Sequence, residues 1–144
     1  MATLHVLFRV GDADYVVPAA QVLHLESFDH ATPIPGAPAY VAGIVQVRAR
    51  LVPVVDLRVR FGLPPIAHAL DRRVIVVQLG TRIAGLLVVS AREVVQLDDA
   101  QFEDPPEMID RQAAGFVRSV ATVARRMFLL VDVARVIREE PSHA

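Results

Sequence analysis

Gly43 to Leu63, GIVQVRARLVPVVDLRVRFGL, constrains this chain more than any other stretch. Two runs rich in β-formers, Ile44–Val47 and Leu51–Val55, flank a short link at Arg48-Ala49-Arg50, which predicts a hairpin. Pro53 cannot donate to a ladder, so it belongs at an edge or a bulge. Asp56 then serves as N-cap of a short helix over Leu57–Phe61, with Gly62 as its stop. A degraded copy, RMFLLVDVARVI, covers Arg126–Ile137, where Asp132 stands 76 residues after Asp56 and caps Val133–Arg138. The echo implies a duplicated β unit. Leu51–Leu63 matches it well and Gly43–Arg50 poorly.

The flanking segments extend the duplication. Leu4–Val10 and Tyr15-Val16-Val17 predict a hairpin around Gly11–Asp14. Pro18–Val22 suits one helical turn, and Val22, Leu23 and Leu25 a short strand. Thr32–Pro38 holds three prolines and reads as a loop, followed by a helical turn over Ala39–Ala42. After a linker from Leu63 to about Asp71, the plan recurs. Arg73–Leu79 and Ile83–Val89 form a hairpin; Ala91–Glu93 matches the Pro18–Gln21 turn, and Val94–Leu97 matches Val22–Leu25. Asp98–Asp110 reads as an acidic surface loop, and Phe116–Val123 with Met127–Val131 as a last hairpin. Matching positions lie 69, 72 and 76 residues apart (Gly11/Gly80, Val22/Val94, Asp56/Asp132), a drift that loop insertions explain. Two small β-barrels of about 70 residues are expected, each with too little core to stand alone.

The search for chemistry is mostly exclusion. The chain has no Cys and no Lys. Disulfides, zinc–thiolate sites, Schiff bases and phosphate loops of the Walker type are therefore ruled out. Ser27, Ser90, Ser119 and Ser142 lack a nucleophile-elbow context, and His5, His24, His30, His68 and His143 show no HExxH or paired helical spacing. His24 and His30, with Glu26 and Asp29 between them, read as surface polar residues rather than a metal site. Asp98-Asp99 with Glu103-Asp104 lacks calcium-loop spacing. Asp56 and Asp132 read as helix caps rather than an acid–base pair. A net charge of −1 and few aromatic residues argue against nucleic acid. MATLHVLFRV reads as a first strand rather than a signal peptide, and no apolar run approaches a membrane span. What remains is a binding module.

One combination of motifs goes further. Phe8-Arg9-Val10-Gly11, Tyr15, Ile34-Pro35, Pro38-Ala39-Tyr40-Val41, Gly43-Ile44, Arg48, Val52-Pro53-Val54-Val55-Asp56-Leu57-Arg58 and Phe61-Gly62 occur in that order. Val74–Val77, Gly85–Val89, Val94–Leu97 and Arg126–Asp132 continue it. This order resembles the CheW family of chemotaxis coupling proteins, over about Leu4 to Ile137. The resemblance implies an all-β fold of two five-stranded, SH3-like barrels around a shared hydrophobic core. It implies one domain over residues 4–138, in halves 4–70 and 71–138 that can exchange strands, with 139–144 as a tail. It further implies a cytoplasmic adaptor with no catalytic activity and no cofactor. The partners would be a chemoreceptor's cytoplasmic tip and the regulatory domain of a CheA-type histidine kinase, with no nucleic acid and no membrane insertion.

Carried over, the receptor groove lies between the barrels and holds Val22, His24, Gly43 and Arg48. Asp56, Arg58 and Asp132 support structure by capping and pairing. Four positions depart from the family pattern. Ala49 replaces a Gly, so a turn that requires positive φ there would be strained or differently shaped. His24 stands where Glu is frequent, Ser90 where Asp is usual, and Ser119 where Gly is common. These departures allow an alternative: a specialised or degenerate CheW-like scaffold of a non-flagellar pathway, such as pilus motility, with altered receptor binding.

Overall fold

A computed structural model describes residues 1–64, 72–106 and 115–138. The predicted linker beyond Pro64, the end of the acidic loop and the C-terminal tail lie outside these residues. The described residues form ten strands: β1 (Ala2–Val10), β2 (Ala13–Pro18), β3 (Val22–Ser27), β4 (Val41–Val47), β5 (Arg50–Asp56), β6 (Arg72–Leu79), β7 (Arg82–Asp98), β8 (Phe102–Glu103), β9 (Val117–Val123) and β10 (Arg126–Val131). Among the described residues, two short helices, α1 (Leu57–Arg60) and α2 (Val133–Ile137), follow β5 and β10. Single 3-10 turns, η1 (Ala19–Gln21) and η2 (Asp99–Gln101), precede β3 and β8.

The strands form two SH3-like barrels. The first has the order β3-β6-β7-β5-β4 and the second β7-β1-β2-β10-β9-β8. Strand β7 serves both: Arg82–Val89 pairs with β6, and Glu93–Asp98 pairs with β1. Strands are exchanged between the halves of the chain. The first barrel takes β3, β4 and β5 from the first half and β6 and β7 from the second, while β1 and β2 cross over to join β8, β9 and β10.

Strands where the barrels meet are buried on two faces. On β6, Val74 and Val76 point into the first barrel, and Ile75 and Val77 point into the layer between the barrels. On β2, Val16 points into the second barrel while Tyr15 and Val17 enter the middle layer. Strands buried on both sides read as continuous apolar runs. The middle layer is the largest core among the described residues and includes Phe8, Leu57, Phe61, Ile75 and Leu86. Each such side chain contributes about 1.5–3 kcal/mol by leaving water. The barrels are therefore held together by the same apolar surface that completes each of them.

The backbone repeats more closely than the residues suggest. Val41–Val55 and Gly43–Val54 are paired across a bulge in β4, and Val117–Val131 and Ser119–Leu130 across one in β9, all at a spacing of 76. The turns Arg48-Ala49 and Ala124-Arg125 both have positive φ at both residues, the type I′ geometry that matches strand twist. The link is thus two residues long, and Arg50 belongs to β5. The segment judged a poor echo by its residues is a good one by its register.

Four other expectations change. No turn occurs at Ala91–Glu93, because β7 continues through it, bending at Ser90, whose φ is +60°, with a register shift against β1. The counterparts of η1 and β3 are η2 and β8, so Val22 does not correspond to Val94. Asp98 opens η2 through a capping box, accepting from Ala100 N at 2.9 Å while Gln101 Oε1 accepts from Asp98 N at 2.8 Å. The acidic segment therefore begins as a capped turn and strand rather than a loop. At Ala39–Ala42 only Ala39 and Tyr40 form a turn, and Val41 and Ala42 already belong to β4.

Pro53 pairs with Ile44 of β4, one residue before the parallel pairing with β7 begins at Val54–Gly85. It therefore occupies the last edge position of its strand. Asp56 caps α1 as expected, accepting from Arg58 N at 2.9 Å and Val59 N at 3.4 Å. Gly62, at φ +81°, ends that helix. Asp132 accepts from Arg135 N at 3.3 Å.

Candidate functional site

Strand β3 would place Val22 and His24 on one face if it alternated regularly. It does not: a bulge at Leu23 pairs Val22 with Val77 and His24 with Val76. Val77 faces the middle layer and Val76 the first barrel. Val22 accordingly packs against the inter-barrel core, and His24 turns to the end of the first barrel. There it meets Arg48 from the β4–β5 turn.

His24 and Arg48 line an opening of about 270 Å³ together with Arg50 and Gln78, over Val47, Val52, Val76 and Ile83. All its walls come from the first barrel. Arg48 also borders a larger cleft of about 590 Å³ along the seam between β3 and β4, lined by Glu26, Phe28, His30 and Gln46 among others. Those two strands are not paired with each other, although Thr32 bridges to Ile44 beside them. Arg72 stacks over Phe28 at 4.9 Å and donates to the Asp29 carbonyl at 3.3 Å, two residues of that lining.

Gly43 lies apart from both openings. Its φ is +148°, and a Cβ there would sit 2.3 Å from the Thr32 carbonyl oxygen. It is a close-approach glycine that lets the Thr32 segment bond to Ile44. The structure thus joins His24 to Arg48, sets Val22 against the middle core, and gives Gly43 a backbone role. Arg58 donates to the Pro64 carbonyl at 2.8 Å, beside the helix that Asp56 caps. His30 lies exposed 3.3 Å from Asp29. Among the described residues, no group of three or more His, Asp or Glu could hold a metal, and no helix is long and apolar enough to cross a membrane.

The fold and these placements can be set beside known proteins. A family model described as the CheW-like domain matches residues 4–141. The chain belongs to the CheW family. Chemotaxis protein CheW of Rhizobium meliloti is 31% identical over 139 residues, 96% of this chain and 90% of that protein. Its namesake in Klebsiella aerogenes is 27% identical over 134 residues, 93% and 81% of the two chains. The crystal structure of scaffolding protein TtCheW from Thermoanaerobacter tengcongensis superposes with a TM-score of 0.86 at 26% identity, covering 97% of this chain and 90% of that one.

Within this CheW-family chain, the Ala49 departure has a definite cost. Ala49 occupies the second position of the type I′ turn at φ +66°. A left-handed L-residue costs roughly 1–2 kcal/mol. Ala49→Gly is expected to raise unfolding free energy by about 1 kcal/mol in urea titration, offset in part by the freer unfolded chain.

Sequence reasoning missed Arg60. It is buried, with its guanidinium between Tyr40 (3.9 Å) and Phe116 (4.7 Å). It donates through Nε to the Val136 carbonyl at 3.0 Å, and through one terminal nitrogen to the carbonyls of Arg135 and Arg138, both at 3.1 Å. Arg82 reaches the Ile137 carbonyl at 2.6 Å. Two arginines therefore satisfy the end of α2. The signal was present: Leu57, Arg60 and Phe61 fall on one helical stripe, and the echo has Val136 where Arg60 stands.

His5 is a buried titratable group of the second barrel. Its ring is buried beside Phe102 at 5.6 Å, and its Nδ1 lies 3.2 Å from the Thr3 carbonyl. Burial lowers its pKa below 6.5, opposed by the Thr3 hydrogen bond and the Asp99 charge. A lowered folded pKa means the unfolded chain takes the proton first. The His5 contribution is therefore complete above 6.5 and is lost as pH falls below that value toward the folded pKa. His5→Phe should flatten the acid limb of a stability–pH profile measured by urea titration.

Proposed function

We propose that this protein is a cytoplasmic, non-enzymatic adaptor that couples a chemoreceptor's cytoplasmic tip to the regulatory domain of a CheA-type histidine kinase. The observation that carries it is family membership along almost the whole chain, including likeness to a solved relative that is itself named a scaffolding protein. The physical design agrees. A scaffold needs separate surfaces held rigidly, and one core ties both barrels together here. The receptor contact we propose is the end of the first barrel around His24 and Arg48, rather than a groove between the barrels. A guanidinium on a tight turn beside apolar walls can fork onto a partner while its stem packs.

Isothermal titration with a receptor-tip fragment and, separately, with the kinase regulatory domain tests this. Binding to both is expected. Arg48→Ala should weaken the receptor complex by about fivefold or more and leave kinase affinity unchanged. Failure of the wild-type protein to bind either partner would falsify the adaptor role, and an unchanged receptor affinity in Arg48→Ala would move the receptor site elsewhere.

A further inference from the structure

The two barrels carry the same hairpin end, with different charge chemistry. Val54 pairs with Gly85 in the first barrel as Leu130 pairs with Val16 in the second. Gln78–Ile83 is likewise the counterpart of Arg9–Asp14. In the second barrel, Asp14 accepts from Arg126 Nε at 3.2 Å and lies 3.7 Å from Arg9 Nε. One carboxylate thus serves two guanidinium groups.

In the first barrel, Arg50 is the counterpart of Arg126, and Gln78 and Ile83 stand where Arg9 and Asp14 would be. The carboxylate has been replaced by an alkyl side chain. Arg50, Arg48 and His24 all line the opening there, and none of the three side chains has a hydrogen-bond or ion-pair partner among the described residues. Among the described residues, no Asp or Glu lines it. A polar, cationic rim over an apolar floor is complementary to an acidic side chain with an aliphatic stem.

We propose that this end of the first barrel takes a carboxylate supplied by the bound partner, in the position that Asp14 fills within the chain in the second barrel. The proposal rests on the adaptor role above and assigns the chemistry of its receptor contact. An acidic residue of the receptor tip would bridge Arg50 and Arg48, with its stem on Ile83 and Val52.

Restoring the missing carboxylate tests the idea. Ile83→Asp should let the chain neutralise its own Arg50 and weaken binding of the receptor-tip fragment by about tenfold or more. Ile83→Asn, equally polar and similar in size but uncharged, should bind more tightly than Ile83→Asp, and thermal melts of both variants control for folding. Arg50→Gln should also weaken binding, and wild-type affinity should fall steeply as salt rises. Equal binding by Ile83→Asp and Ile83→Asn, or wild-type affinity in Arg50→Gln, would overturn the proposal while leaving the adaptor role standing. Absence of fragment binding by the wild-type protein would overturn both.

Discussion

Replacing Arg60 with methionine should destabilise the protein by about 3 kcal/mol or more, the largest loss expected from any single polar substitution described above. Methionine can refill the volume between Tyr40 and Phe116 but cannot donate. The carbonyls of Arg135, Val136 and Arg138 would lose the donor that now reaches all three. Part-buried acceptors without partners cost roughly 1–3 kcal/mol each. Arg60→Lys should be nearly as damaging, because one ammonium group cannot reproduce the planar fork or its stacking between two rings. Urea denaturation followed by circular dichroism gives the value. A loss below about 0.5 kcal/mol, the range of ordinary surface changes, would show that α2 holds its place without Arg60.

The second large effect belongs to Gly43. A Cβ there would lie 2.3 Å from the Thr32 oxygen and 2.7 Å from the Thr32 carbon, with the Ala31 Cβ at 3.0 Å. Two of these obstacles are backbone, so no rotamer change relieves them. Gly43→Ala must separate Thr32 from Ile44, breaking the hydrogen bonds Thr32 N to Ile44 O (2.9 Å) and Ile44 N to Thr32 O (2.8 Å). The expected cost is about 2–4 kcal/mol, combining overpacking with backbone strain at φ +148°. Hydrogen exchange should show lost protection at Thr32 and Ile44 before the rest of β4. Under the proposed adaptor role, any loss of receptor affinity in Gly43→Ala would come through displacement of the Thr32 segment and the β4 edge, since Gly43 itself lines neither opening. Normal protection at both amides would mean that the close approach is not maintained in solution.

The strands, the caps and the duplication were legible because they rest on local chemistry. Asp56 and Asp132 are short acceptors placed before apolar helical turns, and both cap as their spacing suggested. Bulges were the main blind spot. Alternation predicts one face for Val22 and His24, and a single extra residue at Leu23 undoes it. The same effect hid the continuity of β7. Ser90 takes the positive φ that lets a 17-residue strand bend and serve two barrels, where the sequence suggested a chain reversal. Nothing in a hydrophobic pattern distinguishes a bent strand from two strands and a turn. The site was partly legible through the family resemblance. It grouped His24 with Arg48, which line one opening, but could not separate Gly43's backbone role from a surface one. Arg50 escaped notice because its meaning lies in a comparison across the repeat: its counterpart Arg126 has Asp14, and it has Ile83.

The strand exchange sets an order of events during synthesis. The first barrel lacks two of its five strands until β6 and the start of β7 have left the ribosome. The β1–β2 hairpin, made first, pairs along β2 with β10, made nearly last, through Tyr15–Leu129 and Val16–Leu130. A nascent chain halted at its midpoint holds β1 to β5 with neither barrel closed and with Phe8, Tyr15 and Leu57 lacking the layer that covers them. Long-range pairing of this kind slows folding and prolongs exposure of apolar strands. Each half carries a full set of strand and cap signals, yet cutting the chain between β5 and β6 would yield no independent module. The two fragments could recover the fold only by finding each other.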